Sequence, residues 1–184
     1  MYDASNKGIN ICTGDIVAIL NADDFYIDES VISDVVSRIK EENADSLYAD
    51  LYYVEEKNTM KVVRNWVSGN YSRKSFLYGW MPPHPSFYVR KRVYDQFGLF
   101  NLQLKSAADY ELMLRFLYKN NVSTCYLPRP VVRMRIGGMS NVSLKNRIKA
   151  NKEDRMAWEI NGLKPKPFTL IMKPLRKLIQ YVKR

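Results

Sequence analysis

Two adjacent carboxylates, Asp23 and Asp24, follow directly on a short apolar run and are the residues best suited to chemistry. At the carboxyl end of a strand such a pair faces the crevice where open α/β sheets bind ligands. Two carboxylates there can hold Mg2+ or Mn2+, hard cations that take oxygen ligands, and the ion can neutralise a diphosphate leaving group. The plainer alternative is that one of them caps the next helix. Asp28, four residues on, sits better for capping and leaves the pair without that task.

Asp109 follows Ala107-Ala108 and opens a well-patterned helix. An acid there is favoured by the helix dipole alone; facing the crevice of Asp23, it could instead take a proton from an acceptor hydroxyl as general base. His84, the single histidine, lies in Met81-Pro82-Pro83-His84-Pro85, where three prolines hold its position. A lone histidine is more often packed or exposed than functional, but this loop is an unusual place for an idle one. Arg135 with Gly137, Gly138 and Ser140 forms a potential anion clamp, since glycines let backbone amides approach phosphate oxygens.

These residues need elements to position them. Asp3–Thr13 has Ile9 and Cys12 at helical spacing and stops at Gly14. The run 15–20 has no alternation, the pattern of a strand buried on both faces in a parallel or mixed sheet. A helix after Asp28 carries Val31, Ile32, Val35, Val36 and Ile39 as its apolar stripe. Ser46–Val54 and Met60–Trp66 form a hairpin around Glu55–Thr59. Further on come a short helix at Arg73–Gly79, a strand at Ser86–Val89, a helix at Arg90–Phe97 ended by Gly98, and a helix at Ala107–Leu117. Two short strands, Val122–Leu127 and Val131–Arg135, flank a Pro128-Arg129-Pro130 turn. A charged helix at Leu144–Ile160 leads through Lys164-Pro165-Lys166-Pro167 to a last helix, Phe168–Val182.

The chain of 184 residues can bury a real core, and 46% hydrophobic content with thirteen Tyr excludes disorder. No apolar run approaches the length that spans a bilayer, and Met1–Ser5 does not begin a signal peptide. Cys12 and Cys125 have no metal-ligand spacing and read as small core residues of a reducing compartment. The Asn-Val-Ser triplets at Asn121 and Asn141 would matter only in a secreted chain, so the expected location is cytoplasmic. The net charge of +10 is uneven: residues 1–144 carry +1 and residues 145–184 carry +9. The excess belongs to the C-terminal segment, which excludes a body built around nucleic acid.

The order of segments says more than any one of them. Leu20-Asn21-Ala22-Asp23-Asp24, then Met81 to Arg90, then Gly98-Leu99-Phe100, then Ala108-Asp109-Tyr110-Glu111-Leu112-Met113-Leu114-Arg115, then Met134 to Ser140 closely resembles the family 2 glycosyltransferases of the GT-A fold. The likeness runs from about Tyr2 to Ser140 and is strongest to the bacterial enzymes of capsule, exopolysaccharide and O-antigen synthesis. It implies an α/β chain, a partial GT-A (Rossmann-like) mixed sheet flanked by helices, over residues 1–142, with a basic helical extension over 143–184. It also implies an inverting, metal-dependent transfer of sugar from a nucleotide-sugar donor to a saccharide or lipid-linked acceptor. Asp24 would ligate Mg2+ or Mn2+, with Asp23 toward the metal or the donor ribose, and Asp109 would be the base. His84 would lie on the acceptor side and Arg135, Gly137, Gly138 and Ser140 in a loop over the donor; Arg115 would support its helix. Two departures stand out. Ala108 replaces the glutamate of the family's Glu-Asp pair, and the segment from Met1 matches the helix just before the metal motif, so the first nucleotide-binding strands are expected to be missing.

Two rival readings come from other classes. One is a truncated, catalytically inactive remnant acting as a folded interaction module. The other is a nucleic-acid binder using the basic segment, which lacks interleaved stacking aromatics. In that segment Leu170, Ile171, Leu175, Leu178, Ile179 and Val182 line one face, with Lys173, Arg176, Lys177, Lys183 and Arg184 opposite. The pattern suits either peripheral contact with the inner face of an anionic membrane or packing against the domain.

Overall fold

Strand β3 (Ser46–Val54) organises the molecule, because apolar side chains leave it on both faces. Leu47, Ala49 and Leu51 point to one side and Tyr48 to the other, and all four are buried. The computed structural model describes residues 1–136 and 144–182, with side-chain surroundings for 1–136 and 150–176. Around β3 the sheet has the order β1-β5-β3-β6-β2, with β4 paired to the remaining part of β3. Here β1 is Ile16–Ala18, β2 Phe25–Tyr26, β4 Val62–Trp66, β5 Phe87–Arg90 and β6 Thr124–Arg135. Only β3 and β6 are parallel neighbours; every other pair is antiparallel.

Helix α2 (Val31–Glu41) covers one face through Val31, Val35 and Ile39. The opposite face is covered by α1 (Tyr2–Ile11), α3 (Lys91–Phe97), α4 (Ala108–Met113), α5 (Leu144–Ile160) and α6 (Thr169–Val182). Ala157, Trp158 and Leu170 belong to that same core, so α5 and α6 pack against the sheet domain. No helix among the described residues is long and apolar enough to cross a membrane.

Several expectations need correction. The run 15–20 yields only a three-residue strand with Val17 buried and Ala18 exposed; β1 ends the strand order and pairs with β5 alone. The two strands expected around Pro128 and Pro130 are one strand. Ala49 faces Leu127 and Asp50 faces Pro130, so the ladder skips Pro128-Arg129 as a bulge. Prolines lack the amide that the ladder needs, and a bulge absorbs them without ending the strand. Asp28 is not the cap of α2, whose N-cap is Ser30. Its carboxylate instead accepts the Ser30 amide at 3.0 Å and pairs with Arg129 at 2.8 Å. Cys12 is exposed, while Cys125 is buried as expected.

Candidate active site

The strand directions put the ends of several elements on one edge of the sheet. β1 and β6 run with β3 and β5 runs against it. The carboxyl ends of β1, β3 and β6 therefore meet the amino end of β5. Asp23 and Asp24 follow β1, Arg135 ends β6, and His84 precedes β5, so all four arrive at this edge.

Asp24 is 7% exposed and Asp23 is exposed. A tight turn, in which the Asp24 amide donates to the Asn21 carbonyl at 3.1 Å, leads into β2. Asn21 Nδ2 donates to Asp24 Oδ2 at 2.7 Å. The other oxygen, Oδ1, is buried without a hydrogen bond of good geometry, although the Arg135 backbone amide approaches the carboxylate. Burial pushes the Asp24 carboxyl above the ordinary carboxylate range and the charge of Asp23 adds to this, while Asn21 and Arg135 oppose it. Arg135 thus stands beside Asp24, which follows from the pairing of Phe25 with Arg133 across β2 and β6. A buried carboxylate oxygen short of donors is costly, and a hard cation there would satisfy it. Among the described residues no group of three or more His, Cys, Asp or Glu side chains gathers anywhere. A cation at Asp24 would therefore need phosphate and water oxygens for most of its shell, as Mg2+ commonly does.

The second cluster assembles around Asp109, the second residue of α4. The Tyr110 amide donates to Asp109 Oδ1 at 2.8 Å, and the Tyr2 hydroxyl lies 3.5 Å from the same oxygen. No hydrogen bond reaches Oδ2 among the described residues. The Tyr2 ring stacks on Phe100 at 5.3 Å, and His84 meets Phe100 edge-on at 5.5 Å. Asn6 fixes Phe100 by donating to its carbonyl and accepting its amide, each at 2.9 Å. Burial pushes His84 below the usual histidine value, and the charge of Asp109 pulls the other way. His84 itself starts a short 3-10 turn, with Ser86 Oγ donating to the Ala49 carbonyl at 2.8 Å.

The structure therefore brings Asp24 to Arg135, and His84 to Asp109, on the same sheet edge. No hydrogen bond joins the two pairs among the described residues. Gly137, Gly138 and Ser140 lie outside the described residues. Among the described residues, two open cavities of about 290 and 330 Å³ lie at the opposite edge, around Asp45, Arg92 and Thr13, away from these residues.

Sequence reasoning missed Tyr2, Asn6, Asn21 and the full use of Arg115. The Arg115 guanidinium donates to the Phe97 carbonyl, to Gly98 O at 2.9 Å and to Leu99 O at 2.6 Å, while pairing with Glu111 at 2.9 Å. It fastens to α4 the loop that delivers Phe100. Asn21 lies inside the Leu20–Asp24 motif, whereas Tyr2 and Asn6 carry no local signal, because their hydrogen-bond partners Asp109 and Phe100 lie 107 and 94 residues away.

Comparison with known proteins identifies the family and the fold. The family model described as glycosyl transferase family 2 matches residues 1–98. Glycosyltransferases of PGL/p-HBAD biosynthesis from Mycobacterium bovis and Mycobacterium tuberculosis are 25% identical over 143 residues, covering 77% of this chain and 53% of theirs. The chain spans about half the length of these curated relatives. Among solved structures, S. aureus TarS 1–349 in complex with UDP-GlcNAc aligns with a TM-score of 0.58 at 18% identity, over 85% of this chain and 44% of that one. TarS 1–349 without the ligand aligns at 0.59 and 17% identity, over 95% and 50%. That likeness establishes the GT-A arrangement of a mixed sheet flanked by helices. By sequence and by fold, the chain belongs to glycosyl transferase family 2.

Proposed function

We propose that the chain moves a sugar from a nucleotide-sugar donor to a saccharide or lipid-linked acceptor in cell-surface polysaccharide synthesis, with inversion at the transferred carbon. In this reading residues 1–142 are the transferase portion and residues 143–184 a basic extension, of which α5 and α6 pack against the sheet domain. The observation that carries the reading is the buried Oδ1 of Asp24, short of donors, beside Arg135, on the same edge as Asp109. Family membership supports sugar transfer. TarS, which aligns with this fold, was crystallised with UDP-GlcNAc and with UDP, which supports a nucleotide-sugar donor here.

In this reading Asp24, with Asp23 beside it, holds Mg2+ or Mn2+. Bound there, the ion would supply positive charge to the departing diphosphate. Arg135 adds a second positive charge to the same place. Asp109 takes the acceptor hydroxyl proton on Oδ2, because Oδ1 is already engaged by the Tyr110 amide. His84, kept neutral by burial, lines the acceptor side against Phe100 and accepts or donates a hydrogen bond without adding charge.

A membrane-facing acceptor also has a matching surface. Among the described side chains of α6, Thr169, Leu170 and Lys173 face the domain, while Ile171 and Leu175 are 62% and 47% exposed. Exposed Arg176 and Lys166 flank them, which suits an anionic lipid surface.

The test is calorimetric titration of the full chain with UDP, with and without Mn2+. Heat that requires Mn2+ and disappears in Asp24→Asn is the expected result. A native chain that gives no heat with Mn2+ present favours the inactive remnant instead.

A further inference from the structure

The α5–α6 pair converges on the start of α4, the helix that carries Asp109. That helix has no side-chain cap of its own. Glu153, from α5, supplies one from a distance. Its Oε2 accepts the Ser106 amide at 2.6 Å, the Ser106 hydroxyl at 2.8 Å and the Ala107 amide at 3.1 Å. Three more contacts follow in the next turn. Trp158 Nε1 donates to the Tyr110 hydroxyl at 3.0 Å and Asn161 Nδ2 to Glu111 Oε1 at 2.9 Å. Lys173 Nζ lies 3.7 Å from the centre of the Tyr110 ring while pairing with Asp154 at 2.6 Å.

These groups are out of water: Glu153, Asp154, Trp158 and Asn161 are all buried. Burying a carboxylate costs several kcal/mol unless donors replace water, as the amides ahead of α4 do. Burial alone would raise the Glu153 carboxyl, but its hydrogen bonds from Ser106, Ala107 and Lys105 outweigh this and hold it below the ordinary glutamate value.

We propose that Glu153 is a positioning residue for Asp109: it caps the first turn of α4 from another helix and sets the direction in which the Asp109 carboxylate faces. The proposal rests on the reading of Asp109 as the base. Tyr110 is gripped by Trp158 and Lys173 one residue after Asp109, so the helix start is held from both sides of the catalytic position. A cap supplied by a sequence-distant helix also links the C-terminal extension to the site.

The single histidine makes this testable, because its imidazole resonance is unique and its titration feels the Asp109 charge. In the full chain, Glu153→Gln and Glu153→Ala are compared with the native protein by hydrogen exchange and by NMR titration of His84. Exchange at the Ser106 and Ala107 amides rises tenfold or more, most in the alanine variant, while β3 amides stay protected. The His84 titration moves down by roughly half a unit as Asp109 turns away. In an Asp109→Asn background the same Glu153 substitution adds no further shift. If both variants lose thermal stability but leave the His84 titration and the two amides unchanged, Glu153 is a structural residue and the proposal fails. An additive shift in the double variant overturns it as well. Glu153→Gln keeps size and an acceptor oxygen, so it gives the answer even if the alanine variant does not fold. Transfer that survives Asp109→Asn would remove the base and leave the coupling standing, so the two failures are separable.

Discussion

At the scale of single residues the site is defined by groups held away from their ordinary chemistry. Asp24 is buried with one oxygen lacking a hydrogen bond, an arrangement that costs stability. Asp24→Asn is therefore expected to stabilise the ligand-free chain by about 1 kcal/mol in denaturant melts while abolishing Mn2+-dependent UDP binding, the usual exchange of function for stability. His84 has the opposite acid behaviour. Its pKa falls on folding, so the native state binds fewer protons than the unfolded chain. Its stability contribution is full above the ordinary histidine value of about 6.5 and is lost as the pH falls below it. Replacing His84 by Gln should reduce the loss of stability between pH 7 and pH 5 by about 1 kcal/mol, measured by urea unfolding.

At the scale of elements the decisive device is the Arg115 clamp. Arg115 and Glu111 are four residues apart on one helix face, with side chains only 15% and 2% exposed. Arg115 holds three consecutive carbonyls, that of Phe97 at the end of α3 and those of Gly98 and Leu99 after it, where Gly98 takes a φ of +88°. Arg115→Ala leaves Glu111 buried without its partner and should cost about 3–5 kcal/mol, read from chemical denaturation. Phe100 should lose its fixed position at the same time, seen as broadened His84 and Phe100 resonances. The sequence revealed the helix and the glycine that ends α3. It did not reveal that one arginine serves both, because a carbonyl acceptor leaves no mark on the side-chain pattern. The bulge in β6 was hidden for a related reason: prolines signal an interruption, and only the partner strand shows whether the ladder resumes. Strand β2 was missed because two residues carry no periodicity.

At the scale of the whole molecule the positively charged extension and the sheet domain share one core. The extension holding most of the excess charge is packed into the sheet domain by Trp158, Leu170 and the contact of Lys173 with the Tyr110 ring. Gly79 shows how close that packing is, since a Cβ there would fall 2.4 Å from the Lys173 backbone nitrogen. What α6 turns outward is Ile171 and Leu175. Cosedimentation with phosphatidylserine vesicles should be detectable, should fall on raising salt, and should drop about tenfold in Ile171→Glu/Leu175→Glu. The double variant should keep its unfolding midpoint within about 0.5 kcal/mol, because both side chains face solvent.

Sequence by itself determined the family, the α/β class and the order of most elements, and it picked out the residues around which the site is proposed. It could do so because apolar periodicity, glycine and proline punctuation and the Asp23-Asp24 and Asp109 motifs are local signals, each written within about ten residues. Tertiary structure decided which of those residues meet. It placed Asp24 against Arg135 and His84 against Asp109 by setting strand directions on one sheet edge. It also recruited Tyr2, Asn6 and Glu153, residues that no local pattern distinguishes, because contacts between distant segments are fixed by packing and by the need to satisfy buried polar groups.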